Sequence, residues 1–187
     1  MNLHTALALV IAVSVSGPGL ARDNLIRSAG VWDHVAGDDP DKTQSVASCG
    51  TDAAYADRAI CFAFSCQSGA GGSLQLFIQR DFAPSLAFPR LLFDGREFFI
   101  KSGGIGKFES AGDGVLVLRL GLTPAEIKEF ADMAKTSETF SIPLGHMFGG
   151  TAVQEFAAEG LGELIDEAYA ECAGSWSAPA EVVHQLG

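Results

Sequence analysis

Residues 59–79 read AICFAFSCQSGAGGSLQLFIQ. Two apolar runs, 59–66 and 74–79, flank a loop rich in glycine (Gly69, Gly71, Gly72), the pattern of an antiparallel hairpin. Strand side chains alternate, so Phe62 and Phe64 share one face of the first run, and Leu74, Leu76 and Ile78 share one face of the second. The cysteines bear on the same reading. In an extended strand Cys61 and Cys66 lie about 16 Å apart, at about 3.3 Å per residue. They also point to opposite faces. A disulfide spans only about 4.4–6.8 Å between Cα atoms, so a strand here rules out a Cys61–Cys66 bridge. The chain holds four cysteines, Cys49, Cys61, Cys66 and Cys172. An even count suggests two disulfides. Cys172 is then expected on Cys61 or Cys66, with Cys49 the remaining alternative.

Downstream, two further hairpins are expected. Leu91, Leu92 and Phe93 meet Glu97, Phe98, Phe99 and Ile100 across Asp94-Gly95, a pair suited to a turn that needs positive φ. Residues 107–109 meet 115–120 across Gly112-Asp113-Gly114, with Leu116, Leu118 and Leu120 facing one way and Val115, Val117 and Arg119 the other. Pro84 and Pro89 break the chain between the first two hairpins. Upstream, residues 22–48 read as polar and mixed, with Trp32 capping the core and a turn at Asp38, Asp39, Pro40 and Asp41. Residues 52–57 read as a loop or short helical turn.

Thr123-Pro124-Ala125-Glu126 predicts a helix start: Thr as N-cap, Pro in the first turn and Glu three residues beyond the cap. Ile127, Phe130, Ala131 and Ala134 then share one face, and Lys135 suits the C-terminal end. Residues 140–144 read as a short strand. Thr151 and Gln154 spell a second capping box. A stripe from Val153 through Phe156, Ala157, Gly160, Leu161, Leu164, Ile165 and Ala168 to Cys172 then predicts one helix stopped by Gly174. Gly160 and Gly162 inside it imply a kink or close packing on the sheet.

The fold expected is α+β: a mostly antiparallel meander of about five or six strands with two C-terminal helices on one face, disulfide-bonded. Residues 1–21 carry no Lys, Arg, Asp or Glu and hold an apolar run followed by Gly17-Pro18 and Gly19-Leu20-Ala21. They read as a signal peptide cut before Arg22, too short for a membrane span. Residues 22–174 then form a single domain and 175–187 a flexible tail. Location is expected to be periplasmic or secreted, where disulfides persist. The formal net charge of -11 argues against nucleic acid and anionic lipid as partners; another envelope or secreted protein is the partner class expected.

No motif carries chemistry. Gly103-Gly104-Ile105-Gly106 lacks the Lys-Ser/Thr ending and following helix of a phosphate loop and reads as a turn. Residues 146–150, His-Met-Phe-Gly-Gly, suggest an oxyanion loop but have no G-x-S-x-G partner. Asp38, Asp39 and Asp41 lack the calcium-loop pattern. The C-x4-C spacing has no nearby His for zinc. No catalytic, cofactor or metal residues are therefore assigned, and a non-enzymatic binding or envelope-interaction protein is the leading expectation. One alternative is a small periplasmic hydrolase using Asp33, His34 or His146. Another is an inhibitor or immunity-type protein.

The order of leader, Trp32, cysteines, meander, the helix segment at residues 125–135, the strand Phe140-Ser141-Ile142-Pro143-Leu144-Gly145 and a last helix ending in Cys172 resembles bacterial invasion-associated locus B proteins. The resemblance covers about residues 60–172. It implies a small exported β-rich domain and supplies no catalytic residues.

Overall fold

The computed structural model describes residues 24–38, 43–52, 55–68, 71–79, 90–101, 107–110, 115–145 and 151–174. The expected signal peptide, the C-terminal tail, the Gly103–Gly106 turn and His146 lie outside them. Nine strands open the described chain: β1 (Leu25–Ala29), β2 (Trp32–Ala36), β3 (Thr43–Asp52), β4 (Tyr55–Gln67), β5 (Gly71–Gln79), β6 (Leu91–Phe93), β7 (Arg96–Phe98), β8 (Lys107–Ser110) and β9 (Val115–Leu122). Helix α1 (Pro124–Lys135), β10 (Thr139–Gly145), β11 (Thr151–Ala157) and helix α2 (Leu161–Gly174) complete it.

The strands form two antiparallel sheets, one of seven in the order β1-β2-β3-β4-β5-β9-β8 and one of four in the order β11-β10-β6-β7. The fold is α+β, with more strands than expected. The excess lies in residues 22–48 and in β11. Polar composition hid the first group: Gln44, Ser45 and Ser48 are strand residues because β3 is paired on both sides, by β2 and β4. Residues 55–57, expected in a loop or helical turn, belong to β4. All three expected hairpins form, β4–β5, β6–β7 and β8–β9. Asp94 (φ 47°) and Gly95 (φ 78°) supply the positive-φ pair at the β6–β7 turn.

Alternation gives the large sheet two apolar faces. On one, Val46, Phe64, Leu74 and Leu120 lie in register across β3, β4, β5 and β9, flanked by Phe62, Leu76, Leu118 and Cys66. Both helices and the small sheet add their buried residues to this face. The other face gathers Ala47, Cys61, Ala63, Phe77, Val115 and Val117, all from the sheet itself. Cys61 and Cys66 therefore belong to different clusters, as the strand reading requires. Cys66 bonds Cys172 on α2, with Cα atoms 6.2 Å apart and a sequence separation of 106. Cys49 bonds its register partner Cys61. In the chain-entropy view the long bridge contributes roughly 4–5 kcal/mol through the unfolded state.

An aromatic knot joins the layers. Phe140 of β10 lies 4.7 Å from Phe62 and 4.9 Å from Phe93, centroid to centroid, and also meets Phe130, Phe156 and Trp32. Phe130 of α1 meets Phe62, Phe93 and Phe98. Trp32 is fully buried rather than a cap at the core's edge, and its Nε1–H donates to the Ala157 carbonyl at 2.7 Å.

Helix α1 starts as expected. The Thr123 Oγ1 accepts from the Glu126 amide, and the Glu126 carboxylate accepts from the Thr123 amide. The second capping box is not one. Residues 151–157 are β11, paired residue by residue with β10 from Thr139↔Ala157 to Gly145↔Thr151. Val153 and Glu155 are exposed while Gln154 and Phe156 are buried. This period-two burial, driven by the place of Phe156 in the knot, overrides the helical spelling of Thr151 and Gln154. Helix α2 begins only at Leu161. Gly160 sits before it at φ 83°, where a Cβ would collide with Ala29. Gly162 lies in its first turn against the Ala131 carbonyl, so the close packing is on β1 of the large sheet at Gly160 and on α1 at Gly162.

Phe140→Ala is expected to cost about 3–5 kcal/mol in urea melts, and Thr123→Ala about 1 kcal/mol. A Phe140→Ala loss below 1 kcal/mol would show that the knot does not hold the layers together.

Candidate functional site

Of the expected hydrolase residues, Asp33 and His34 do not converge, and His146 lies outside the described residues. Asp33 and His34 are neighbours on β2 and so point to opposite faces. Asp33 is exposed and accepts from Ser28 Oγ at 2.6 Å. His34 is fully buried, with Nε2 3.0 Å from Gln44 Oε1. Its Nδ1 has no hydrogen-bond partner, as is true of Gln154 Oε1. The buried His and Gln are thus a polar pair within the helix-covered face. The sequence signal for it was the alternation Trp32, His34, Ala36, legible only once β2 is recognised as a strand. Among the described residues no group of three or more His, Cys, Asp or Glu could hold a metal, and no helix is long and apolar enough to cross a membrane.

A surface feature stands out instead on the outer side of α1. Ala125, Lys128, Glu129, Asp132, Met133 and Thr136 line a shallow, open groove with a mainly apolar floor. These residues share one side of the helix because three- and four-residue steps stack them. Charge pairs rim it. Lys128 Nζ donates to Asp132 at 2.7 Å and Lys101 Nζ to Glu129 at 2.8 Å. Lys135 pairs with Asp166 of α2. The Lys128 hydrogen bond holds the Asp132 carboxyl below its usual value. The Glu129 bond raises Lys101 and the Asp166 bond raises Lys135. All are well solvated, so they set the sign pattern of the surface more than its stability.

Residues 99–101 run beside this helix. The Lys101 amide donates to the buried Glu126 carboxylate at 2.6 Å. Two residues before it, Phe99 is 61% exposed, the most exposed large apolar side chain among the described residues. Sequence reasoning placed Phe99 in a hairpin strand. In fact β7 stops at Phe98, and the tie from Lys101 to Glu126 carries the following segment onto α1. Glu126 thus serves two ends, capping its own helix and anchoring this segment.

The small sheet is fastened by another carboxylate. Asp94 accepts from the Thr139 amide and Oγ1 at 2.9 and 3.1 Å, and from the Glu138 amide at 3.1 Å. The Thr139 amide bond is the largest cause of a lowered Asp94 pKa.

No family model matches this chain, and no curated protein does. Among solved structures, the crystal structure of invasion associated protein B from Bartonella henselae is similar, with 11% sequence identity, a TM-score of 0.49, and coverage of 77% of this chain and 95% of that one. No residue role passes from one protein to the other.

Because the folded Asp94 pKa lies below its unfolded value of about 3.9, its contribution is present above that value and is lost as pH falls through the folded pKa. Asp94→Asn keeps a residue suited to positive φ and removes the charge. Its midpoint deficit in urea melts is expected to be full at pH 6 and to shrink between pH 4 and pH 2. A deficit independent of pH would show that the charge is not what holds β10.

Proposed function

We propose that this chain is an exported, non-enzymatic binding protein of the bacterial envelope whose partner is another envelope or secreted protein. The observation that carries the reading is the groove on α1: open, apolar-floored and rimmed by charge, with Phe99 exposed on the segment tied to that helix. Deep pockets with converging polar groups favour chemistry, whereas apolar patches rimmed by polar residues favour protein contact. Two disulfides fit an oxidising compartment, which supports a periplasmic or secreted location. The separation of Asp33 from His34 onto opposite faces weighs against the hydrolase built on that pair.

The test is quantitative capture from an envelope extract of the source cell with the protein beginning at Arg22. A discrete partner is expected to be held by the wild type and, about as tightly, by a His146→Gln variant. A Phe99→Asp, Met133→Asp double variant that melts like the wild type should lose at least ten-fold in capture. Undiminished capture by that variant would remove α1 from the reading. Hydrolytic turnover abolished by His146→Gln would replace the reading with an enzymatic one.

A further inference from the structure

The two disulfides occupy opposite faces of the same strand, and they differ in access. Cys66 and Cys172 are 2% and 4% exposed, sealed between β4 and α2 within the main core. Cys61 is fully buried among Ala63, Phe77 and Val117 on the other face. Cys49, its partner directly across the β3–β4 ladder, is exposed. Of the four cysteines only Cys49 is therefore an exposed residue.

We infer that the Cys49–Cys61 bridge is a thiol-exchange site, entered at Cys49 Sγ by a thiol or protein dithiol, while Cys66–Cys172 is inert in the folded chain. Exchange requires a thiolate to reach a disulfide sulfur, and Cys61, Cys66 and Cys172 are buried whereas Cys49 is exposed. The incoming thiolate forms a new S–S bond to Cys49 as the Cys49–Cys61 bond breaks. The electron pair leaves on Cys61 Sγ. Its apolar surroundings disfavour a thiolate, so it takes up a proton from solvent. With a dithiol, the reagent's second thiolate then attacks its own sulfur in the mixed disulfide and releases Cys49 as a thiol. The reagent is oxidised to its disulfide and the protein bridge is reduced to two thiols. With a monothiol the adduct stays on Cys49, and Cys61 stands beside it to expel the adduct and restore the bridge.

The fold tolerates the opening. The bridge closes a separation of 12 residues inside one hairpin, whose register is already set by direct pairs from Thr43↔Gln67 to Thr51↔Ala59. It ties no helix and no second sheet. The core-to-helix link stays with Cys66–Cys172.

The oxidised protein under native conditions is exposed to a dithiothreitol series, alkylated at intervals and peptide-mapped. A parallel arm uses reduced glutathione. Cys49 and Cys61 are expected to become alkylated at least ten-fold faster than Cys66 and Cys172, with glutathione found on Cys49 and not on Cys61. The far-ultraviolet spectrum should be unchanged at the point where the first pair is open and the second closed. Equal rates, earlier opening of Cys66–Cys172, an adduct on Cys61, or loss of the spectrum along with the first bridge would each overturn the inference.

Discussion

Phe140 is the contact on which the rest of this structure rests. Its ring touches rings from β2, β4, β6, α1 and β11. Few residues reach so many elements in a chain of this size. The reason is its position. Strand β10 pairs with β6 on one side and β11 on the other, which places Phe140 at the centre of the small sheet where it meets the large one. Offset and edge-on ring contacts each add about 0.5–1.5 kcal/mol beyond area burial, and here they are shared among seven aromatic residues. The two sheets and α1 are therefore not independent layers. Moving any of them displaces a ring that two others use.

The second organising fact is that β4 is buried on both faces. A strand with one wet face needs only one apolar set. Strand β4 carries two, Phe62, Phe64 and Cys66 on one side and Cys61 and Ala63 on the other. Each face holds one disulfide, and their chemistry differs because their surroundings do. The bridge under α2 joins distant parts of the chain inside apolar packing. The bridge on the other face joins near neighbours and keeps one partner in water. The same alternation separates Asp33 from His34, so that an adjacent pair in sequence serves two unrelated environments.

Much of this was legible in the sequence because the signals were local and strong. The hairpin through residues 59–79, the Asp94-Gly95 turn, the capping box at Thr123 and the opposite orientation of Cys61 and Cys66 each follow from a few neighbouring residues. What escaped was decided by distant ones. Residues 151–157 spell a helix start, yet pair with β10 because Phe156 is needed beside Trp32 and Phe140. Residues 25–36 look polar, yet form strands because β3 offers an edge. The groove on α1 was legible only as a polar helix face. Two residues beyond the exposed Phe99, Lys101 is held by Glu126, a contact between residues 25 apart in sequence, which no local pattern announces.

The Cys66–Cys172 bond also has a mechanical meaning. A pull applied between the two ends of the described chain runs along β1 to β4, crosses at Cys66 and leaves through Cys172. Everything between, from β5 through most of α2, lies in a closed covalent ring that the load bypasses. The Cys49–Cys61 bond closes a second, smaller ring, so under tension the chain can pay out only those parts of β1 to β4 that lie outside both rings. The α1 groove and the segment bearing Phe99 both sit inside the ring. A load between the two ends of the described chain therefore leaves that surface unstrained.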